Sequence, residues 1–161
     1  MTQTVVFGID PGSRTTGFGV IDVEGNKLRC VDYGAVKGMR RGGENDFPRR
    51  LRRIYRELCL SLQKYCPDVV VVEEVFHAVN SRTALRLGEA RGVALLAAAE
   101  SGAQIFEYSP LEVKKSVVGY GRADKQQVQK MVSVLLHLDR TPQPHDAADA
   151  LAIAICHALR S

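Results

Sequence analysis

The chain has 161 residues, of which 45% are hydrophobic and 25% are charged, as in an ordinary globular protein of one domain rather than a disordered chain. It contains no apolar stretch near the roughly 20 residues of a membrane-spanning helix, and it begins without a basic leader and apolar signal region. We therefore expect a cytoplasmic protein with a single domain over residues 1–161. The formal net charge of +4 weakly favours a polyanionic partner such as nucleic acid.

The first part of the chain predicts three adjacent strands. An apolar run predicts a strand over Thr4–Asp10, and two further strands follow over Gly17–Asp22 and Leu28–Val36. Gly25 and its neighbours form a hairpin turn signal between the second and third strands. Because these strands follow one another closely, we expect an antiparallel meander. The segment Gly38–Glu44 is expected to be a basic, glycine-rich loop.

The rest of the chain alternates helices and strands. Asn45 or Asp46 is expected to cap the first helix, and Ser81 the second. The predicted order is helix Phe47 to before Pro67, strand Val69–Glu73, helix Ser81–Glu100, strand Gln104–Tyr108, and helices Pro110–Val117, Asp124–Leu136 and His145–Leu159. Strand–helix alternation implies parallel crossovers, so the fold class is α/β, with a mixed five-stranded sheet flanked by helices. In such sheets, sites gather outside the carboxyl ends of strands.

Four carboxylates lie at strand ends or at the start of a helix in this predicted fold. Asp10 and Glu73 each end an apolar strand, whereas Asp146 and Asp149 lie three residues apart at the start of the last helix. Residues three apart on a helix share one face. Hard cations such as Mg²⁺ take oxygen ligands, and a pair of them can hold both the attacking and the leaving oxygen of a phosphoryl transfer. The pattern is typical of a metal-dependent phosphodiesterase.

Simpler explanations exist for each acid alone. A single aspartate at a strand end is often a turn former, and Asp146 is also suited to cap the last helix. Asp149 resists this explanation because it lies one turn inside an otherwise apolar segment, where an unpaired charge would be costly. Metal coordination accounts for all four acids at once. Since adjacent strand residues face opposite sides, only one of Glu73 and Glu74 should line the site.

Four segments, in the same order along the chain, resemble the RuvC-type Holliday junction resolvases. These segments are Phe7–Gly12, Glu73–Phe76, Arg86–Gly92 and His145–Ala152. The resemblance implies a ribonuclease H-like fold and a homodimer that resolves four-way DNA junctions by two symmetric metal-dependent nicks during homologous recombination and DNA repair. The family also suggests a branch-migration motor complex as a partner, for which the sequence contains no signal.

The resemblance assigns roles to individual residues. It makes Asp10, Glu73, Asp146 and Asp149 the catalytic metal ligands, with two Mg²⁺ ions per site and Mn²⁺ as a substitute. Lys114 and Lys125 match basic catalytic residues near the scissile backbone. Phe76 matches an aromatic residue that approaches the junction crossover. Glu74 departs from the pattern, because relatives often carry glutamine there; the motif register favours Glu73 as the ligand.

Several arginines are candidate DNA contacts. Three lie near the site elements in sequence and two lie in the glycine-rich loop; they are Arg14, Arg82, Arg86, Arg40 and Arg41. The arginines between Arg49 and Arg56 are better explained as the solvated face of an amphipathic helix.

The predicted dimer needs a self-complementary surface, because a two-fold dimer matches a substrate with two equivalent strands. The Ser81–Gly102 helix offers an apolar side chain beside small residues that allow close approach, namely Leu85, Gly88, Ala90 and Gly92.

Two other functions remain open on the sequence. The segment from Asp10 to Gly17 also fits the phosphate-binding turn of actin-like and sugar-kinase ATPases. Those proteins need two lobes, whereas 161 residues supply one. A noncatalytic nucleic-acid adaptor is the second alternative, and the presence of all four carboxylates argues against it.

Overall fold

The computed structural model describes residues 2–37, 46–74 and 80–161. The elements in chain order are β1 (Thr4–Asp10), β2 (Thr15–Glu24), β3 (Lys27–Lys37), α1 (Phe47–Tyr65), β4 (Val69–Glu73), α2 (Ser81–Glu100), β5 (Gln104–Tyr108), α3 (Pro110–Val118), α4 (Lys125–Leu135) and α5 (His145–Arg160). The predicted loop at Gly38–Glu44 lies outside the described residues. Within those residues, no helix is both long enough and apolar enough to cross a membrane.

The five strands form one mixed sheet in the order β3-β2-β1-β4-β5. β1, β2 and β3 are antiparallel neighbours, whereas β4 is parallel to both β1 and β5. The predicted α/β class and mixed five-stranded sheet are therefore confirmed. Ile9 of β1 lies opposite Val72 of β4, so the next residues, Asp10 and Glu73, meet at the same edge of the sheet.

Each face of the sheet is covered by its own set of helices. Val6, Val69 and Val71 pack in one cluster with residues of α3, α4 and α5. Phe7, Val70 and Val72 pack in the other with residues of α1 and α2. Because strand residues alternate between faces, Glu73 continues the row of Val69 and Val71. Its side chain is thus directed to the same layer as α5.

Helix α5 packs unusually close to β1 and β2, and strand glycines make this possible. A Cβ atom at Gly8 would lie 2.2 Å from the carbonyl oxygen of Ala150, and one at Gly17 would lie 2.0 Å from that of Asp146. Glycine inside a strand often marks such a close backbone approach. The first turns of α5 are therefore held directly against the strands that lead to and from Asp10.

Two predicted caps differ from the structure. Asn80, rather than Ser81, caps α2, because its side chain accepts a hydrogen bond from the Thr83 N–H. Asp46 occupies the cap position of α1, but its side chain makes no capping hydrogen bond and lies 3.7 Å from Arg49 instead. Cap position depends on where the chain leaves the helical conformation, which neighbouring polar residues in the sequence do not decide.

The dimer contact surface predicted on α2 includes one residue that is not on the surface of the protomer. Leu85 is 67% exposed, and a Cβ at Gly88 or Gly92 would meet nothing within 4 Å. Ala90, by contrast, is fully buried within the protomer. Ala90 is therefore not available to a contact surface on the outside of α2.

Candidate active site

Three aspartates converge at the carboxyl end of β1. Asp10 is the last residue of that strand, and Asp146 and Asp149 lie on the first two turns of α5. One carboxylate oxygen from each lies within 4.8 Å of the others, and all three residues are partly buried. These are hard oxygen donors in a geometry that brings them to one point, which suits Mg²⁺ or Mn²⁺.

Glu73 joins this cluster from the end of β4. Its carboxyl group interacts with that of Asp10 and with the charge of Asp149, although it lies outside the group of three aspartates whose oxygens are all within 4.8 Å of one another. Burial, followed by the negative charges of Glu73 and Asp149, holds the pKa of Asp10 well above its usual range. Burial also raises the pKa of Glu73. Burial and the neighbouring acids thus favour the neutral form of Asp10 over the charged one.

Two lysines border the carboxylates. The Lys125 Nζ lies 3.0 Å from Asp149 Oδ2, and this hydrogen bond is the main reason that the pKa of Lys125 is raised. The pKa of Glu73 is raised by burial, and the charges of Lys114 and Lys125 oppose that rise. Helices α3 and α4 thus bring both predicted lysines to the acidic cluster from the side.

The structure bears on two alternatives: Asp146 as the cap of α5, and Glu74 in place of Glu73. Pro144 occupies the cap position of α5, and no side chain makes a capping hydrogen bond there. Asp146 is therefore not the cap of this helix. The backbone N–H of Glu74 donates to the Tyr108 carbonyl at 2.9 Å, and strand alternation directs its side chain away from the layer that Glu73 faces.

Of the arginines predicted to contact DNA, the structure describes Arg14, Arg82 and Arg86. Arg14 is exposed in the turn after β1, and Arg82 is exposed in the first turn of α2. The Arg86 guanidinium lies 4.4 Å from the centre of the Phe47 ring, where it links α2 to α1. Three further candidates, Phe76, Arg40 and Arg41, lie outside the described residues.

Sequence reasoning missed a contact behind the acidic cluster. The Arg91 Nε donates to the backbone carbonyl of Glu73 at 3.2 Å, and its Nη2 donates to Glu107 Oε1 at 2.7 Å. The available signal was an arginine within a helical segment that is otherwise rich in alanine and glycine. The glycines at 8, 17 and 19 were a second unused signal, since three glycines inside two adjacent strands predict a closely packed helix.

Comparisons with known proteins agree with this geometry. A family model described as crossover junction endodeoxyribonuclease RuvC matches residues 6–157. The RuvC endodeoxyribonuclease of Alkaliphilus oremlandii is 52% identical over 154 residues, which cover 96% of this chain and 92% of that protein. The protein of the same name from Rubrobacter xylanophilus is 51% identical over 157 residues, covering 98% of this chain and 86% of its own length.

Solved structures show the same relationship. Thermus thermophilus RuvC in complex with a Holliday junction substrate has a TM-score of 0.88 and 37% identity, covering 98% of this chain and 94% of that one. The yeast mitochondrial Holliday junction resolvase Ydc2 shares the fold, with a TM-score of 0.67 at 16% identity, over 96% of this chain and 77% of its own. The ribonuclease H-like fold implied by the resemblance is confirmed. By sequence and by structure, the chain belongs to the RuvC family of crossover junction endodeoxyribonucleases.

Proposed function

We propose that residues 1–161 act as a single nuclease domain that resolves four-way DNA junctions by two symmetric, metal-dependent nicks. The observation that carries this proposal is the convergence of Asp10, Asp146 and Asp149 at one edge of the sheet, where Glu73 ends the neighbouring strand. Membership of the RuvC family and the likeness to a relative solved with a Holliday junction substrate support the choice of DNA. A noncatalytic adaptor has no need of this acidic cluster.

The four carboxylates would hold two Mg²⁺ ions, for which Mn²⁺ would substitute. When bound, such ions lower the pKa of the attacking water and stabilise charge on the leaving oxygen. Lys125 balances the charge of Asp149, and Lys114 and Lys125 together place positive charge beside the position where a scissile phosphate would become more negative.

The DNA contacts follow from the resemblance. We propose that Phe76 stacks on an unpaired base at the junction crossover, an interaction worth about 1–3 kcal/mol per base. Arg14, Arg82 and Arg86, together with Arg40 and Arg41, remain predicted phosphate contacts. A branch-migration motor complex as a partner and a cytoplasmic location also remain predictions.

A cleavage assay tests the proposed function. We expect Mg²⁺ to support paired nicks in a labelled four-way DNA junction, with little cutting of linear duplex DNA or of RNA, and a chelator to abolish the nicks. Equal cutting of duplex and junction DNA would contradict the proposed specificity for four-way junctions. Junction binding without cleavage at any Mg²⁺ or Mn²⁺ concentration would favour the adaptor, and metal-dependent ATP hydrolysis would favour the ATPase.

We further propose that the chain acts as a two-fold dimer through α2. A shallow depression on this helix is lined by Ser81, Ala84, Leu85, Gly88 and Glu89. The 67% exposure of the Leu85 side chain beside a glycine suits close contact with a second copy of the same helix.

The dimer can be tested by sedimentation at micromolar concentration. We expect the wild-type chain to sediment as a dimer and Leu85→Glu as a monomer, because a charge at the centre of the contact would lose its hydration. Leu60→Glu is the matched control, since Leu60 is 61% exposed on a different helix, and it should remain dimeric. A monomeric wild type that cuts junctions normally would contradict the proposal.

A further inference from the structure

The carboxyl end of β4 is held by side chains from behind the sheet. Arg91 lies on α2, and it donates both to the Glu73 carbonyl at 3.2 Å and to the Glu107 carboxylate of β5 at 2.7 Å. Its side chain is only 22% exposed, and that of Glu107 is 39% exposed. Arg91 therefore bridges α2, β4 and β5, and its bond to the Glu73 carbonyl is partly buried whereas its bond to Glu107 is exposed.

The bridge contacts the backbone of the residue whose side chain enters the acidic cluster. The pairing of β1 with β4 ends at Ile9 and Val72, so the Glu73 carbonyl lies just beyond the last residue pair on that side. Arg91 supplies a donor to it. The same peptide group is held on its other side, where the Glu74 N–H donates to the Tyr108 carbonyl. The two bonds together determine the orientation of the strand end that carries Glu73.

Arg91 is suited to this contact for a chemical reason. A guanidinium group has donors in fixed, divergent directions, so it can bond a carbonyl and a carboxylate at the same time. A lysine would keep the positive charge facing Glu107, but its single nitrogen would not reproduce both bonds in that geometry. The contact is made on the α2 side of the sheet, whereas Glu73 faces the α5 layer with Asp10.

We propose that Arg91, held by Glu107, is a positioning residue that orients Glu73 toward the metal ions. It acts through the Glu73 backbone and touches neither the ions nor the DNA. Without the bridge, the Glu73 peptide is held only from the β5 side, and the Glu73 carboxylate spends less time in the position of a ligand. The inference rests on the proposed function, because it concerns the same metal site.

The test compares metal binding with DNA binding in Arg91→Lys and Glu107→Gln. Outer partners of metal ligands typically contribute about 10- to 100-fold in metal affinity or activity. We expect Arg91→Lys to raise the Mg²⁺ concentration for half-maximal junction cleavage by about tenfold or more, with the rate recovering at high Mg²⁺. Mn²⁺ binding to the DNA-free protein, measured by calorimetry, should weaken in parallel, and junction binding without metal should stay unchanged.

Arg160→Lys provides the matched control. Arg160 forms another arginine–glutamate contact between elements, with Glu112 at 3.4 Å, and this contact links α5 to α3 without reaching a carboxylate of the site. The Arg160→Lys variant should need the same Mg²⁺ concentration for half-maximal cleavage as the wild type. An unchanged metal requirement in Arg91→Lys would overturn the inference, as would equal losses of thermal stability and junction binding. A wild type that neither binds Mn²⁺ nor cuts junctions would instead overturn the proposed function.

Discussion

Replacing any one of the four clustered carboxylates by its amide should abolish junction cleavage while junction binding persists or strengthens. The four variants are Asp10→Asn, Glu73→Gln, Asp146→Asn and Asp149→Asn. Since outer partners of ligands already contribute about 10- to 100-fold, loss of a direct ligand should reduce the cleavage rate by more than about 100-fold. Binding should not fall, because each substitution removes negative charge that would face phosphate.

Single-turnover cleavage and a gel-shift titration without metal measure the two effects separately. Glu74→Gln is the matched control, because it makes the same chemical change one residue along the chain on a side chain directed to the other face. It should cut at the wild-type rate. A near-parental rate for any one of the four variants would remove that residue from the proposed set of ligands.

Thermal unfolding shows whether the fold survives in these variants. The folded-state pKa of Asp10 is raised by burial and by its acidic neighbours, so the folded protein binds more protons than the unfolded chain between the ordinary aspartate pKa of about 3.9 and that raised value. The stability that this proton provides is present below pH 4 and is lost as pH rises through the folded pKa. Without metal at neutral pH, Asp10→Asn should therefore be at least as stable as the wild type.

Gly17→Ala should be among the most destabilising single substitutions in the chain. Its added methyl group would lie 2.0 Å from the backbone carbonyl oxygen of Asp146, an atom that cannot move without shifting α5. Overpacking of a core typically costs about 1–3 kcal/mol and sometimes more, and a backbone-to-backbone clash belongs at the upper end. Displacement of α5 would also move Asp146 and Asp149 away from Asp10.

Urea unfolding and the cleavage assay measure this effect. We expect a reduction of about 3 kcal/mol or more in the free energy of unfolding, or failure to fold, and any folded fraction should cut slowly. Gly92→Ala is the matched control, because its methyl group would meet nothing within 4 Å. Alanine is favoured over glycine inside a helix by about 0.5–1 kcal/mol, so this variant should leave the protomer equally or more stable. Wild-type stability in Gly17→Ala would show that α5 can move aside.

The parts of this fold that follow from local patterns were predictable. β1 and β4 have their predicted bounds because each apolar run ends on an acid that a buried strand does not continue past. The acid spacing in α5 likewise predicts a shared helical face. These signals depend only on residues close together in the chain.

Other features depend on contacts that the local pattern does not contain. Ala90 and Gly92 look alike as small helix residues, yet Ala90 is fully buried and a side chain at Gly92 would meet nothing within 4 Å, a difference that only tertiary packing decides. The bridge from Arg91 to Glu73 and Glu107 joins residues 18 and 16 positions apart. An arginine in an alanine-rich helix does not itself reveal which carbonyl it will reach.

The backbone contact between α5 and the strands makes the acidic cluster a part of the hydrophobic core. Two of its acids belong to a helix with ten buried residues, so the positions of Asp146 and Asp149 depend on how that helix packs. Any substitution that shifts α5 by a fraction of an ångström therefore also shifts Asp146 and Asp149, the proposed metal ligands on that helix. In a genetic screen for lost resolution, apolar positions such as Ala150 and Ala154, which have no polar side-chain group, would be recovered alongside the acids themselves.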